Sequence, residues 1–322
     1  FGILAVVIIG YMFLVDFTKD YRWLYAGIIV LIFYFLFIWN SGQSAEMALP
    51  ISQRLFIDGF GILAVVIIGY MFLVDFTLNE GIRHIEYKTE ISLAKEMHET
   101  LVPEIKMDTR QYRIYGKSIP TTEVGGDIID VHPVDNSLTC YIGDVSGHGV
   151  AAGVMMSMYK TTMHMGFSKG ESLEDLLNHS NSVLAHLKKP TMFLTTSCIR
   201  LDNSYNVEYI VAGHLPILHF DHAQDSVQQL SSGHMPLSID AEYSYQSKRI
   251  TVAPGDLFIL ATDGVTEIMD ENDEEYGLQR LIASIKSVKN YEPDHIFQTL
   301  IQSAQVHGKQ FDDQTLLVIK VK

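Results

Sequence analysis

One apolar run constrains this chain more than any other feature. It reads WLYAGIIVLIFYFLFIW from Trp23 to Trp39, 17 residues without a charge, which meets the lower limit for a helix that crosses a bilayer. Two further apolar segments, Phe1 to Val15 and Phe60 to Val74, have 15 residues each and need flanking residues or local thinning to span. We expect a transmembrane region of about three helices over residues 1–77; buried core helices are the alternative.

Basic residues set the expected orientation of these spans. Lys19 and Arg22 lie between the first and second segments, and Arg83 and Lys88 follow the third. With three spans these two groups share one side of the membrane. We therefore expect a multi-pass protein whose C-terminal domain is cytoplasmic.

An unusual repeat lies within the apolar region. FGILAVVIIGYMFLVDFT, from Phe1 to Thr18, recurs letter for letter from Phe60 to Thr77, which is too close a match for a structural repeat that has diverged. No physical account explains it. Since the chain also begins without Met, a truncated or misassembled N-terminus remains an explanation, and the native protein is then expected to have more spans.

The overall charge excludes one class of partner. The formal net charge of −15 argues against nucleic acid, because phosphate binding needs a basic surface. Cys140 and Cys198 are the only cysteines, and each lies inside an apolar β-like run. We expect both to be free core thiols rather than zinc ligands or nucleophiles.

Residues 78–103 form the expected connector. Its apolar positions recur at helical spacing and include Ile91, Ala94, Met97 and Leu101, and Pro103 ends the run. Two interpretations stay open. The helix either transmits a signal by pairing in a homodimer or is a spacer that packs on the following domain.

Residues 104–322 alternate β-like and helical runs. This pattern predicts an α+β domain of antiparallel strands with grouped helices. The expected strands are 112–119, 128–134, 138–145, 193–201, 207–211, 217–220, 257–261 and 315–321, and the expected helices are 150–165, 173–187, 277–288 and 295–305.

Acidic residues border four of these strands. GGDIID presents Asp127, YIGDVSGHG presents Asp144, LFILATDGVTE presents Asp263, and QFDDQTLLVI presents Asp312 and Asp313. A single Asp-Gly pair is more often a turn. Four such acids with few basic residues nearby need a counter-charge, and hard divalent cations prefer carboxylate ligands. The pattern therefore predicts a Mg²⁺ or Mn²⁺ site.

These motifs, together with GDVSGHGVAA and VAGHLPIL, resemble the metal-dependent protein phosphatase (PPM) family, in its bacterial branch that includes SpoIIE and RsbU. The similarity runs from Ile91 to Lys322. It implies an α-β-β-α sandwich with two Mn²⁺ or Mg²⁺ ions, and it says nothing about residues 1–77. The predicted spans, in a bacterial protein of this kind, place the chain in the inner (cell) membrane. By motif, the implied catalytic and metal-binding acids are Asp127, Asp144, Asp263 and Asp312, with the Val145 carbonyl as a further metal ligand and Asp313 in reserve.

The resemblance also implies the reaction. It predicts hydrolysis of phosphoserine or phosphothreonine on a partner protein, an anti-sigma-factor antagonist in partner switching. One departure is Leu237-Ser238 in GHMPLSID, where this branch usually has Leu-Gly. This difference means that the flap or regulatory surface of the family cannot be carried over to this chain by motif. The predicted metal ligands do not depend on it.

Other functional interpretations are weaker. His148 and His214 lie in glycine-rich turn motifs, so structural roles are favoured over proton donation. A helical run carries several methionines that we expect in the core, namely Met155, Met156, Met158, Met163 and Met165. The main alternative function is a non-catalytic sensor or docking module on the same fold. A transporter ranks last, because Asp16 and Asp75 lie only at segment ends.

Overall fold

The computed structural model describes residues 82–322 except 135, 148, 189 and 190, together with Pro50 and a few positions between 52 and 74. The expected transmembrane segments and their repeat otherwise lie outside the described residues. Among the residues described, no helix has both the length and the apolar character needed to cross a bilayer. The chain divides into two units between Ile82 and Arg83, and the second is described here.

Six helices and eleven strands make up the described part of this unit. The helices are α1 Ile82–Leu101, α2 Val150–Ser168, α3 Leu173–Leu187, α4 Asp263–Thr266, α5 Gly277–Val288 and α6 Pro293–His307. The strands are β1 Ile105–Asp108, β2 Tyr112–Ile119, β3 Asp127–Val134, β4 Ser137–Val145, β5 Leu194–Asp202, β6 Asn206–Ala212, β7 Ile217–Asp221, β8 Ser226–Leu230, β9 Lys248–Thr251, β10 Leu257–Ala261 and β11 Gln314–Val321.

The strands form two antiparallel sheets. Sheet A has the order β1-β2-β11-β10-β7-β8, and sheet B has the order β3-β4-β5-β6-β9. Helices α5 and α6 cover sheet A, and α2 and α3 cover sheet B. This arrangement is the α-β-β-α sandwich that the family resemblance implied.

Alternate residues of each strand enter different cores. On β11, Leu317 and Ile319 face the core between the sheets, while Leu316 and Val318 face the helices. Because strand side chains alternate between faces and both faces are covered, the strand reads as a continuous apolar run. This explains why the buried strands were visible in the sequence.

The two cysteines lie on opposite faces of sheet B. Cys140 belongs to the core between the sheets, and Cys198 belongs to the core under α2 and α3. Both are free and buried, and burial raises the pKa of the Cys198 thiol to about 11. The expectation of core thiols is confirmed.

All eight expected strands and four expected helices are present, with bounds shifted by a few residues. The elements that the sequence did not reveal are β1, β8, β9 and the short helix α4. The strands read IKMD, SVQQL and KRIT. All three are edge strands that expose much of their length, so they lack the apolar run that marks a buried strand.

Two expectations about helix faces are wrong. Met97 is 67% exposed, whereas its neighbour His98 is 5% exposed, so the packed face of α1 passes through His98. Met165 is 56% exposed on α2, although Met155, Met156 and Met163 are buried as expected. In both helices a methionine lies one position off the buried stripe, where apolar character alone misleads.

The unusual Ser238 lies in a backbone conformation that favours glycine. Its φ is 68°, its side chain is buried, and its hydroxyl has no hydrogen-bond partner among the described residues. Its backbone N–H donates a hydrogen bond to Asn181 Oδ1 at 2.7 Å, which holds this segment against α3. The serine is therefore strained here, because a Cβ disfavours positive φ.

Replacing Ser238 with glycine is expected to stabilise the domain by about 1 kcal/mol, since relief of the left-handed strain and of the buried hydroxyl exceeds the entropy that glycine adds to the unfolded chain. Urea unfolding measures the effect. Ser238→Ala is the matched control, because it removes the hydroxyl and keeps the Cβ. A glycine variant less stable than the alanine variant would contradict the strain.

Candidate metal centre

The first two predicted acids meet across one strand pair. Asp127 begins β3, Asp144 lies near the end of β4, and the two residues are register partners in the antiparallel ladder. Asp127 is buried and Asp144 is partly buried. Antiparallel pairing thus brings acids 17 positions apart in the chain to the same edge of sheet B.

The other acids come from sheet A. Asp263 begins α4 just after β10, and Asp312 and Asp313 directly precede β11. Ala261 at the end of β10 pairs with Leu316 near the start of β11, so these acids also share one edge. Gly264 packs so closely on this backbone that an added Cβ would lie 2.1 Å from the Asp313 carbonyl oxygen.

Asp127 ties the two sheets together at this edge. Its Oδ2 accepts hydrogen bonds from the hydroxyls of Thr262, at 2.8 Å, and Thr315, at 2.5 Å. Thr262 follows β10 and Thr315 lies on β11, so a sheet B carboxylate is held by two sheet A residues. Both hydroxyls stabilise the charged form of a buried acid.

Asp312 and Asp313 have different environments. Asp313 is buried, and its carboxylate accepts the backbone N–H groups of Thr121 at 2.7 Å and Gly126 at 2.8 Å. Asp312 is exposed, and its Oδ1 accepts the Asp313 N–H at 2.8 Å. Both carboxylate oxygens of Asp313 are therefore engaged in holding the 121–126 segment, whereas among the described residues only Oδ1 of the Asp312 carboxylate accepts a hydrogen bond.

Mutual repulsion marks this cluster. Burial, and then the charges of Asp263, Asp312 and Asp313, raise the pKa of Asp144 from 3.8 to about 8. Burial and Asp312 raise the pKa of Asp263, and burial and Asp144 raise the pKa of Asp127 well above its usual range. Among the described residues, the charges that raise these three pKa values all belong to other carboxylates, so a bound cation would relieve the repulsion.

Oxygen atoms surround the space beside Gly126. A Cβ added there would lie 3.0 Å from the Val145 carbonyl oxygen, 3.2 Å from Asp144 Oδ1 and 3.2 Å from the Gly147 carbonyl oxygen. The three atoms nearest to the position of the missing side chain are thus all oxygens. Hard divalent cations favour such a donor set.

The described residues contain no group of three Asp, Glu, His or Cys side chains arranged to hold one ion. Mg²⁺ keeps several waters and takes few carboxylates directly. The donor set therefore fits hydrated divalent ions that share the edge.

Comparison with known proteins assigns the family. The sequence profile of Stage II sporulation protein E (SpoIIE) matches residues 135–322, more than half of the chain. The chain belongs to the SpoIIE family. The matched region of this SpoIIE-family chain includes Asp144, Asp263 and Asp312, and Asp127 precedes it.

Individual relatives agree with this assignment. Phosphoserine phosphatase RsbU of Bacillus subtilis is 29% identical over 269 residues, which cover 80% of this chain and 77% of RsbU. The structure of the RsbU and RsbW domains of Rv1364c from Mycobacterium tuberculosis gives a TM-score of 0.61 at 24% identity, covering 69% of this chain and 62% of that one.

A third comparison concerns the fold alone. The catalytic domain of the serine threonine protein phosphatase PstP, solved in complex with two manganese ions, gives a TM-score of 0.51 at 14% identity and covers 66% of this chain and 98% of that one. The SpoIIE-family domain described here therefore has the PP2C-type phosphatase fold. It is a protein phosphatase domain by family.

Sequence reasoning missed several residues at this edge. Thr262 and Thr315 lie next to the site acids in the ATDG and DDQT motifs. Nothing in those motifs indicated that the two hydroxyls would donate hydrogen bonds to Asp127. Glu267 lies one turn after Asp263 in the same motif, and burial with Asp263, Glu275 and Asp312 raises its pKa. The i to i+4 spacing was the available signal for Glu267.

The two histidines have different outcomes. His148 lies outside the described residues. His214 lies between β6 and β7, shares a 2.8 Å hydrogen bond with Thr195 Oγ1, and burial lowers its pKa to about 4. Thr195 is the register partner of Asp144, so His214 is hydrogen-bonded to a residue adjacent to a site acid. Its structural role stays a prediction.

The metal-free protein is expected to lose stability as pH rises from about 4 to 8. The folded state keeps the Asp144 proton until its pKa of about 8, while the unfolded chain releases it near the ordinary value. Because each unit of difference between the folded and unfolded pKa corresponds to about 1.4 kcal/mol, the loss of stability over this range should be on the order of 5 kcal/mol.

Urea unfolding in chelator at pH 5 and pH 8 measures this loss. Asp144→Asn should flatten the dependence, and Glu242→Gln, which changes an exposed carboxylate, should not. An unchanged pH dependence in Asp144→Asn would show that this carboxyl is not under the repulsion described.

Proposed function

We propose that this chain is a metal-dependent protein phosphatase that hydrolyses phosphoserine or phosphothreonine on a partner protein. The observation that carries the proposal is the convergence of uncompensated carboxylates from two sheets at one edge. An acidic cleft alone would repel a phosphate dianion. Bound cations reverse that repulsion, so the cluster suits a phosphate substrate only when metal is present.

Asp127, Asp144, Asp263 and Asp312 would hold two Mn²⁺ or Mg²⁺ ions, with the Val145 carbonyl as a further ligand. Such ions supply water of lowered pKa and neutralise charge on the phosphate. Asp313 takes a supporting role in this proposal, because Thr121 and Gly126 occupy its carboxylate.

Among the described residues, the groups at the site hold its acids in place, and neither cysteine lies where it could act as a covalent nucleophile. Thr262 and Thr315 fix the Asp127 carboxylate through their hydroxyls. Among the described residues, Cys140 and Cys198 are buried within sheet B, and the buried ring of His214 stays neutral at physiological pH. Direct attack by water on phosphorus, without an enzyme ester, therefore fits this arrangement best.

The substrate class follows from the relatives. RsbU is named a phosphoserine phosphatase, and a solved relative combines RsbU and RsbW domains. We propose that this chain acts on phosphoserine in a partner-switching pathway, with an anti-sigma-factor antagonist as substrate. A non-catalytic docking module is the alternative, and the retention of all four acids argues against it.

Asp144→Asn and Asp263→Asn are each expected to lower kcat/KM for p-nitrophenyl phosphate roughly a hundredfold or more, because the amide keeps the shape and removes the ligand charge. Chelation of the wild type should abolish turnover, and Mn²⁺ should restore it. Asp202→Asn at the opposite edge of sheet B is the matched control.

Folded variants are verified by circular dichroism before comparison. The decisive protein is the Asp144→Asn, Asp263→Asn double variant at saturating Mn²⁺. If it keeps more than about a tenth of wild-type activity, these acids are not the metal ligands. A wild type that never hydrolyses phosphate esters would favour the docking module.

We further propose that residues 1–77 anchor the chain in the bacterial inner membrane, with the phosphatase domain in the cytoplasm, and that the connector transmits a signal, with pairing in a homodimer as one route. A contact at the end of α1 supports the coupling. Lys160 Nζ on α2 donates to the Leu101 carbonyl at 2.6 Å and lies 3.2 Å from Asp130 Oδ2. Helix α2 directly follows the Asp144 loop, so movement of α1 would act on that loop.

Truncated proteins that start near Leu78 and near Met107 should differ in turnover or in oligomeric mass, because only the first retains α1. Both are compared at matched Mn²⁺ and protein concentration, by phosphatase assay and light scattering. Equal turnover and mass would make the connector a passive spacer.

The sidedness is checked separately on the full chain. A C-terminal reporter that is active only in the cytoplasm should give signal, since the basic residues flanking the spans favour that side. A reporter signal confined to the periplasm would overturn the orientation and leave the catalytic assignment standing.

A further inference from the structure

One oxygen of the Asp127 carboxylate is fully occupied. Oδ2 lies 2.8 Å from the hydroxyl oxygen of Thr262 and 2.5 Å from that of Thr315, and all three residues are buried. A carboxylate oxygen has two lone pairs, so it accepts about two hydrogen bonds. Residues of sheet A therefore take both acceptor positions of Oδ2.

The proton of the Thr315 hydroxyl is directed to Asp127. Thr315 Oγ1 also lies 2.8 Å from Ser118 Oγ, and Ser118 is the register partner of Thr315 in the β2–β11 pair. A threonine hydroxyl has a single proton, and a carboxylate that binds a metal ion has none. Thr315 therefore donates to Asp127, and Ser118 supplies the hydrogen bond that the Thr315 oxygen accepts.

The hydroxyl of Thr262 is oriented in the same direction. Its oxygen accepts the Thr315 N–H at 3.0 Å. The other oxygens within reach of its proton are the carbonyls of Asp313 and Thr315, at 3.4 and 3.5 Å, whereas Asp127 Oδ2 lies at 2.8 Å and is charged. Ser118, Thr262 and Thr315 thus form one hydroxyl network that ends on Oδ2 of Asp127.

This hydroxyl network leaves Oδ1 as the oxygen that Asp127 offers to a metal ion. Among the described residues, the hydrogen bonds to this carboxylate all go to Oδ2. A carboxylate with both oxygens open can bind one ion through two atoms. Asp127 is restricted to a single atom, because the groups that occupy Oδ2 are buried and held by the backbone of sheet A.

The number of oxygens that a carboxylate offers discriminates between divalent ions. Ca²⁺ takes about six to eight oxygen ligands and accepts carboxylates through one or both oxygens, whereas Mg²⁺ requires a near-ideal octahedron. Octahedral oxygen sites also suit Mn²⁺. An acid restricted to one oxygen on a rigid support therefore favours the smaller octahedral ions and withholds a ligand atom from Ca²⁺.

We propose that Ser118, Thr262 and Thr315 are positioning residues that set the metal selectivity of this centre. By restricting Asp127 to Oδ1, the hydroxyl network favours Mn²⁺ or Mg²⁺ over Ca²⁺. This inference rests on the proposed function and adds residues that act on the ions through the Asp127 carboxylate without touching them.

The test measures the affinities of the full-length protein for Mn²⁺ and for Ca²⁺ by calorimetric titration, alongside turnover of p-nitrophenyl phosphate. The wild type should bind Mn²⁺ at least about tenfold more tightly than Ca²⁺. Thr262→Val and Thr315→Val each keep the shape and remove one hydroxyl. Each should lower the ratio of Mn²⁺ affinity to Ca²⁺ affinity about tenfold, because Oδ2 becomes open to Ca²⁺.

Two further variants test the hydroxyl network itself. Thr315→Ser keeps the hydroxyl and should keep the wild-type affinity ratio. Ser118→Ala changes a half-buried residue and should lower the ratio about threefold, because Thr315 then loses the donor that orients it.

Thr196→Val is the matched control. Thr196 is as buried as Thr315, and its hydroxyl donates to the Ile142 carbonyl at 2.7 Å instead of to an acid. Its affinity ratio should equal that of the wild type, even where its stability falls. Circular dichroism establishes which variants are folded.

A folded valine variant at Thr262 or Thr315 with the wild-type affinity ratio would overturn the selectivity role, and so would an equal fall of the ratio in Thr196→Val. If neither valine variant folds, Ser118→Ala decides, and an unchanged ratio there would overturn the role. A wild type that hydrolyses p-nitrophenyl phosphate with Mn²⁺ but binds Ca²⁺ as tightly would overturn it too, with the phosphatase function left standing. A wild type that neither binds Mn²⁺ nor hydrolyses the ester would instead overturn the proposed function, and this inference with it.

Discussion

The buried carboxylate of Asp127 is the interaction on which the site depends. It begins a strand of sheet B and accepts hydroxyls from Thr262 and Thr315 of sheet A. A buried acid without such partners would take a proton or destabilise the fold. Its two hydrogen bonds therefore join the sheets at the edge where the other acids gather.

The same edge concentrates charge that the protein alone does not neutralise. Asp144, Asp263 and Asp312 lie within electrostatic reach of one another, and Asp313 holds the neighbouring 121–126 segment by accepting its amides. Fold and chemistry are thus coupled. The hydrogen bonds that order the loops also hold the acids in positions that favour a divalent cation over an empty cleft.

Much of the domain was predictable because its central strands are buried on both faces. Runs such as LFILA and TLLVI have no other reasonable interpretation, and the acids at their ends could be identified with them. The edge strands could not be predicted, since IKMD and KRIT are polar and pair only because a neighbour is available. The burial of His98 and the exposure of Met97 likewise depend on what α1 packs against.

The sequence by itself determined the buried strands, the helices that cover them, and the acidic residues that border four of those strands, because these follow from local periodicity and residue chemistry. Tertiary structure decided which acids meet and how they differ. Asp312 and Asp313 are adjacent and identical in type, yet only Asp313 has backbone amides within reach of both oxygens. That difference arises from the packing of residues nearly two hundred positions away, which local sequence does not encode.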